Sequence, residues 1–294
     1  MTFLNQKAKE YNGQNVIKIG VVGICFDGEF PCAPIGVKQA PERIRAVSQR
    51  YANTNGNGFP SDLYNPEQGY ILRELFFHDW GDLMCTDDVD AVEPIIKGAI
   101  CEILSAGEIP CIFGGDHFVT YPALMAYQKP LTVIQFDAHS DYLNRKYVCP
   151  HGSAMRLAKS LPYVTRVVHC GMRGNLSSKE DIEESVAAGN KIIYTSSIKL
   201  LGVAVFEGVI EEDSNVYLSI DIDVLDPSIA FATRTMEPDG IGYRQLLDLL
   251  QYCTSHFHVV GVDIVEYDPS VDLNDCTCNM INNMIFELFG KLRR

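Results

Sequence analysis

The sequence predicts an α/β fold in which a mainly parallel sheet is covered by helices on both faces. Two observations predict it. Short apolar, β-branched runs of the kind that bury both faces recur along the chain, and segments of helical periodicity alternate with them. A third observation predicts where ligands bind: the polar motifs sit where apolar runs end, and open parallel sheets receive ligands at the carboxyl ends of their strands.

Taken in order, the strand-like runs are "VIKIGVVG" (16–23), "IPCIFGG" (109–115), "LTVIQFD" (131–137), "VTRVVHCG" (164–171), "NVYLSIDID" (215–223) and "HVVGVDIVE" (258–266). The helical patterns between them are "APERIRAVSQRY", "DDVDAVEPIIKGAICEILSAG", "SAMRLAKSL", "KEDIEESVAAG" and "YRQLLDLLQYC". A stretch rich in Asn, Gly and Pro, "ANTNGNGFPSDLYNPEQG" (52–69), reads as a mobile inserted loop. No internal repeat interrupts the pattern, and a chain of 294 residues with 47% hydrophobic content is expected to form one domain over 1–294.

Composition narrows the partners. A formal net charge of −14 argues against nucleic acid and anionic membranes, and favours a cationic substrate or metal ions. The N-terminus "MTFLNQKAKEYNGQNV" has no signal-peptide core, and no run approaches the roughly 18–20 apolar residues of a membrane span, so a cytoplasmic protein is expected. The ten cysteines lack paired metal-site spacing. Cys276 and Cys278, the one close pair, read as free thiols near a helix start.

The chemistry concentrates at three strand ends. "QFDAHSD" offers Asp137, His139 and Asp141 on alternate residues, and an extended chain turns such residues to one side. "SIDIDVLDP" repeats the spacing with Asp221 and Asp223. "FGGDHF" adds His117, with Gly114 and Gly115 allowing close backbone approach. Either acidic motif alone is more often a capping or surface feature. Together they place four carboxylates and two imidazoles in one crevice, where the acids would repel one another unless cations neutralised them. Two metal ions sharing bridging carboxylates use all six side chains, whereas one ion does not. Oxygen-rich ligation with some imidazole and no thiolate favours Mn²⁺ over Zn²⁺ and leaves Fe, Co and Ni open.

These residues resemble the ureohydrolases, the family of arginase and agmatinase. "GGDH", "DAHSD", "SIDIDVLDP" and "VGVDIVEYDPS" look like its four signature segments, and "FDG", "APERIR" and "DWGDL" look like weaker N-terminal ones. The resemblance implies a three-layer α/β/α sandwich, assembled as a homo-oligomer of trimer or hexamer type. It implies two Mn²⁺ ions, one held by His117, Asp137, Asp141 and Asp221, the other by Asp137, His139, Asp221 and Asp223, with a bridging hydroxide that attacks a guanidinium carbon. Glu266 matches the carboxylate that binds the guanidinium, and His151 the histidine proposed to shuttle protons to the departing amine. Asp263 is divided between supporting the site and structural pairing.

The substrate loops depart from the family pattern. The segment from Asp141 to His151 is short, as in agmatinases, and "GMRGNLSS" lacks the acids with which arginases hold an amino-acid head group. "AFATRTMEPDG" stands where the family has "APGTGTPEPGG", retaining Thr235 and Glu237 but introducing Arg234 and Met236 at a loop expected to border the entrance. Arg234 is expected either to contact substrate there, suiting a guanidino acid or an arginine in an acidic peptide, or to point to solvent or pair with Glu237 or Asp239. The expected reaction is hydrolysis of a guanidino small molecule, or of peptidyl arginine to peptidyl ornithine, releasing urea and a primary amine. A single-zinc deacetylase of the related fold and an idle subunit are the alternatives.

Overall fold

In a computed structural model, residues 2–5, 16–28, 36–52, 63–72 and 75–292 are described. Most of the expected mobile insertion, at 53–62, lies outside them. Eight strands form one sheet: β1 (Ile17–Cys25), β4 (Leu75–Met84), β5 (Ile109–Phe113), β6 (Leu131–Phe136), β7 (Val164–Met172), β8 (Lys191–Tyr194), β9 (Asn215–Asp221) and β10 (His258–Val265). They run in the order β4-β1-β5-β10-β9-β6-β7-β8, and every pair is parallel. Strands β2 (Tyr64–Asn65) and β3 (Gly69–Tyr70) make a small antiparallel ladder apart from it.

The continuous apolar runs are explained by what covers each face. In β9, Val216, Leu218 and Ile220 join one buried cluster while Tyr217 joins the other, and β1 divides in the same way between Ile19 and Val21 on one side and Val22 and Ile24 on the other. The first cluster is closed by α1 (Ala40–Ala52), α7 (Tyr243–His256) and α8 (Cys276–Gly290), through residues such as Ile44, Leu246 and Ile285. The second is closed by α2 (Val89–Ser105), α3 (Thr120–Leu124) and α4 (Ala154–Ser160), through Ile96, Leu124 and Met155. Helices α5 (Lys179–Ala187) and α6 (Thr195–Leu201) flank the β8 edge. The result is the expected three-layer sandwich with the sheet buried on both sides. No described helix is long and apolar enough to cross a membrane. Cys276 opens α8 exposed and Cys278 is buried, and both are free thiols.

Both edge strands escape the sequence pattern for a physical reason. β4 reads "LFFHDWGDLM", with polar residues that a half-covered edge tolerates, and β8 is only four residues long. The charges in β4 also explain two of the weaker N-terminal motifs. Arg45 of "APERIR" is buried and donates to Asp79 from Nε at 2.8 Å and Nη2 at 2.9 Å, and it pairs with Asp82; both aspartates belong to "DWGDL". Gly23 of β1 lies beneath this cluster, where a Cβ would come within 1.9 Å of Asp82 Oδ1. These motifs therefore tie α1 to the sheet edge, with the Arg45 guanidinium 5.6 Å from the ring of Phe113 at the end of β5. Burial opposes ionisation of Asp79, but the Arg45 hydrogen bonds outweigh it and hold the carboxyl below its ordinary range.

Arg45→Met leaves Asp79 without its buried partner and is expected to cost about 3–5 kcal/mol of stability. Urea denaturation at neutral pH measures this. The sign of the pH effect also follows. The wild-type pair contributes fully above the ordinary carboxylate range and loses its contribution as pH falls through the depressed value of Asp79, so the difference between the two proteins narrows in acid.

Candidate active site

The four central neighbours β5, β10, β9 and β6 carry the signature motifs, each at its carboxyl end. His117 follows β5, Glu266 follows β10, Asp221 ends β9 with Asp223 two residues on, and Asp137 follows β6. Strand order alone thus converges segments up to about half the chain apart. Gly115 permits the closest approach: Asp116 N–H donates to Phe26 O at 3.0 Å, and a Cβ on Gly115 would stand 1.9 Å from that oxygen.

The i, i+2 spacing does not arise from an extended chain, as the alternation suggested. The strands stop at Phe136 and Asp221, and the first aspartate of each motif turns the backbone by accepting the N–H two residues ahead. His139 N donates to Asp137 Oδ1 at 2.5 Å and Asp223 N donates to Asp221 Oδ1 at 2.8 Å. Phe118 N donates to Asp116 Oδ1 at 2.8 Å in the same way. Asp141 then takes a left-handed backbone, φ 45°, which brings its carboxylate back over the sheet end.

Two groups of ligand atoms share one carboxylate. His117 Nδ1 lies 3.1 Å from Asp137 Oδ2, 2.8 Å from Asp141 Oδ2 and 3.4 Å from Asp221 Oδ2. His139 Nδ1 lies 3.4 Å from Asp137 Oδ1 and 2.9 Å from Asp223 Oδ2. His117 with Asp137 and Asp141, and His139 with Asp137 and Asp223, each converge closely enough to hold a metal ion. All six sequence-predicted ligands meet here, and Asp137 offers one oxygen to each group.

The surroundings orient these groups as ligands. His117 Nε2 lies 2.8 Å from Ser219 Oγ, whose hydroxyl donates to Asp263 Oδ1 at 2.7 Å. Ser219 must then accept from His117, which puts a proton on Nε2 and makes Nδ1 the nitrogen that would face a cation, once that cation displaces any proton the surrounding aspartates hold there. Nδ1 is buried and makes no hydrogen bond, although three carboxylates surround it. That is the signature expected of a cation ligand. Asp263 also accepts from Thr120 Oγ1 at 2.9 Å and Tyr217 OH at 2.7 Å. A second chain ends on Asp137. Asn190 donates to Ser185, which faces His169 Nε2 at 2.8 Å; His169 Nδ1 faces Gln135 Oε1 at 2.5 Å, and Gln135 Nε2 donates to Asp137 Oδ2 at 2.6 Å. Burial pulls His169 down to about 4, so it is neutral and can pass this polarity along.

Electrostatics agree. Burial first, and then their acidic neighbours, raise Asp221 and Asp223 above the ordinary carboxylate range. Burial works against a charged His117, but the surrounding aspartates push it well above the usual histidine value. Fixed cations relieve the repulsion among the carboxylates.

Beside this centre lies a second buried cluster. Glu266, itself at φ 61°, accepts from His117 N at 2.8 Å through Oε1. Its Oε2 stands 3.3 Å from Arg234 Nε, while Arg234 Nη2 donates to Asp27 Oδ1 at 2.6 Å and Nη1 lies 3.6 Å from Asp116 Oδ2. His151 Nδ1 is 3.4 Å from the same Asp116 oxygen. The expectation that Arg234 points to solvent, or pairs with Glu237 or Asp239, does not hold. Its side chain is only 2% exposed, and Asp239 pairs with Lys199 instead. The cause is backbone pairing. Thr233 bridges Tyr267 and Asp268 N donates to Ala232 O at 2.9 Å, so the loop runs alongside the residue that follows Glu266 and the arginine turns inward. Thr235 is half-buried and, among the described residues, shares no hydrogen bond or ion pair with the cluster. Glu237 Oε1 lies 4.0 Å from His139 Nε2.

A family model described as the arginase family matches residues 17–290. The chain belongs to the arginase family. It is 29% identical over 289 residues to guanidinopropionase of Pseudomonas aeruginosa, covering 92% of this chain and 86% of that protein. It is 31% identical over 268 residues to agmatinase of Bacillus anthracis, covering 88% of this chain and 87% of the other. The crystal structure of agmatine ureohydrolase of Thermoplasma volcanium superposes with a TM-score of 0.77 at 27% identity, covering 96% and 92% of the two chains.

Within this arginase-family chain, motif reading singled out neither Asp27, Asp116, Gln135, His169 nor Ser219. Asp27, Asp116, Gln135 and Ser219 lay inside the motifs, the last three within two residues of predicted ligands, so adjacency was an available signal for those three. His169 carried none, because its role depends on β6 and β7 being neighbours.

Ser219→Ala removes the hydroxyl that fixes the His117 tautomer. It is expected to weaken binding of a divalent cation by about 10–100-fold while the chain stays folded. Titration calorimetry against circular dichroism separates those two effects.

Proposed function

We propose that the chain hydrolyses a guanidino group to urea and a primary amine at a centre of two Mn²⁺ ions. The observation that carries this reading is the pair of ligand groups joined by Asp137, set next to the buried carboxylate of Glu266. His117, Asp137, Asp141 and Asp221 would hold one ion, and Asp137, His139, Asp221 and Asp223 the other. Oxygen-rich ligation with two imidazoles and no thiolate suits manganese. Bound there, the ions supply Lewis acidity that makes water nucleophilic near neutral pH.

The chain's own residues do the rest. Glu266 pairs with the planar guanidinium and sets its carbon toward the ligand groups, since a carboxylate and a guanidinium match in shape and charge. Burial pushes the Glu266 carboxyl up to about 7 even with Arg234 beside it, so a bound guanidinium also secures its ionised form. The new bond joins water oxygen to the guanidinium carbon, the carbon–nitrogen bond to the substrate's tail breaks, and the two protons lost by the water end on the departing amine. His151 would relay one of them, giving a proton to the amine and regaining one that the water loses. Burial disfavours its charge, but Asp116 overrides this and raises it to about 11, which keeps an acid available. The relatives named for guanidinopropionate and agmatine differ in the tail beyond the guanidino group, and the proposal is for the part they share. An aspartate common to two ligand groups supports this reading over a single-zinc deacetylase.

A urea-release screen with manganese against agmatine, L-arginine, guanidinobutyrate and an arginine-containing peptide tests the reaction; silence across all four sinks it. Glu266→Gln is expected to lower urea release by at least about 100-fold with metal content unchanged, because the charged half of the guanidinium pair is lost. Full activity in that variant would show that Glu266 does not read the guanidinium.

A further inference from the structure

Arg234 presents a guanidinium of the chain's own to the carboxylate assigned to the substrate's guanidinium. Glu266 Oε1 is committed to the His117 N–H, and Oε2 faces Arg234 Nε at 3.3 Å. A substrate guanidinium and Arg234 therefore compete for the charge of Oε2. Yet Arg234 is poorly satisfied. A guanidinium carries five N–H donors, and among the described residues this one makes a single hydrogen bond, to Asp27. Its Nε, although buried, has no hydrogen-bond acceptor, and Asp27 Oδ2 has no donor.

We infer that Arg234 is an internal competitor at the guanidinium site, a specificity-determining residue whose side chain must withdraw before a guanidino substrate pairs with Glu266; this rests on the role assigned to Glu266 above. The loop backbone need not open. It is fixed on one side by the Thr233–Tyr267 bridge and the Asp268–Ala232 bond, and on the other by Arg173, which donates to Glu237 O at 2.8 Å and Pro238 O at 2.9 Å. Withdrawal then falls to rotation about the arginine's own bonds, at a residue of intermediate exposure whose side chain is buried.

The opposite role, in which Arg234 receives a substrate carboxylate, does not fit the charges. Three carboxylates, of Asp27, Asp116 and Glu266, already lie within 3.6 Å of this one cation, and a fourth anion would be repelled. Competition also has a selective consequence. Apparent affinity for any ligand of this site falls by the fraction of molecules in which Arg234 is withdrawn, so only a ligand that pairs strongly with Glu266 binds in spite of it.

The test titrates guanidinium chloride, at concentrations far below those that unfold proteins, into manganese-loaded wild type, Arg234→Ala, Arg234→Lys and the Arg234→Ala/Glu266→Gln double variant. Arg234→Ala is expected to bind the ion at least about tenfold tighter than wild type, with a matching fall in KM for whichever guanidino probe releases urea. Arg234→Lys keeps a cation among the acids, so it reports even if the alanine variant does not fold, and its gain should be smaller. No gain in either variant, or a rise in KM, overturns the inference. A gain that survives Glu266→Gln instead overturns the assignment of Glu266 on which it rests.

Discussion

Mutual repulsion among buried carboxylates governs this molecule. Asp137, Asp141, Asp221 and Asp223 are all nearly inaccessible and converge on His117 and His139 from two neighbouring strand ends. In water such charges would disperse, but the parallel sheet does not let them. The surroundings hold each acid in place: backbone N–H groups grip Asp137, Asp221 and Asp223, and Gln135 grips Asp137 again. Hydrogen bonds of this kind orient carboxylates without cancelling their charge. The cost is visible in the backbone, where Asp141 and Glu266 take left-handed conformations that cost roughly 1–3 kcal/mol each. Such strain is tolerated where function over-determines geometry, and fixed divalent cations are what this geometry can use.

Much of the centre was legible in the sequence because its ligands are clustered by turns. One aspartate accepting the N–H two residues ahead imposes the same spacing in "DAHSD" and "DID", and the spacing shows even though its cause is a turn and not an extended strand. The six strands buried on both faces were equally legible, since Val216 to Ile220 find apolar cover whichever way they point. The edge strands β4 and β8 were not, because an edge needs only part of that cover. Nor were Asp27 and His169, whose meaning comes from register across strands and loops. His169 reads in the sequence as one more core residue of "VVHCG", and only its bond to Gln135 links it to the centre.

Arg234 shows the limit of motif reading most clearly. Its position in "ATRTMEP" suggested a loop at the entrance, and charge alone suggested an anionic substrate. The antiparallel bridge at Thr233 instead turns the side chain under the loop and onto Glu266, Asp27 and Asp116. The same three acids that would welcome a substrate's guanidinium explain why an arginine can be buried there. On the proposed reading, recognition of the guanidino group and self-occupation of the site are two uses of one cradle.

The most direct test of the central claim is the metal content of the purified chain, stripped with a chelator, reloaded with Mn²⁺ and freed of excess ion, compared between wild type and Asp137→Asn. Two ions per chain in wild type, with loss of both in the variant that removes the shared carboxylate, is the result the account predicts. One ion per chain in wild type, or none in a chain that remains folded, would contradict it.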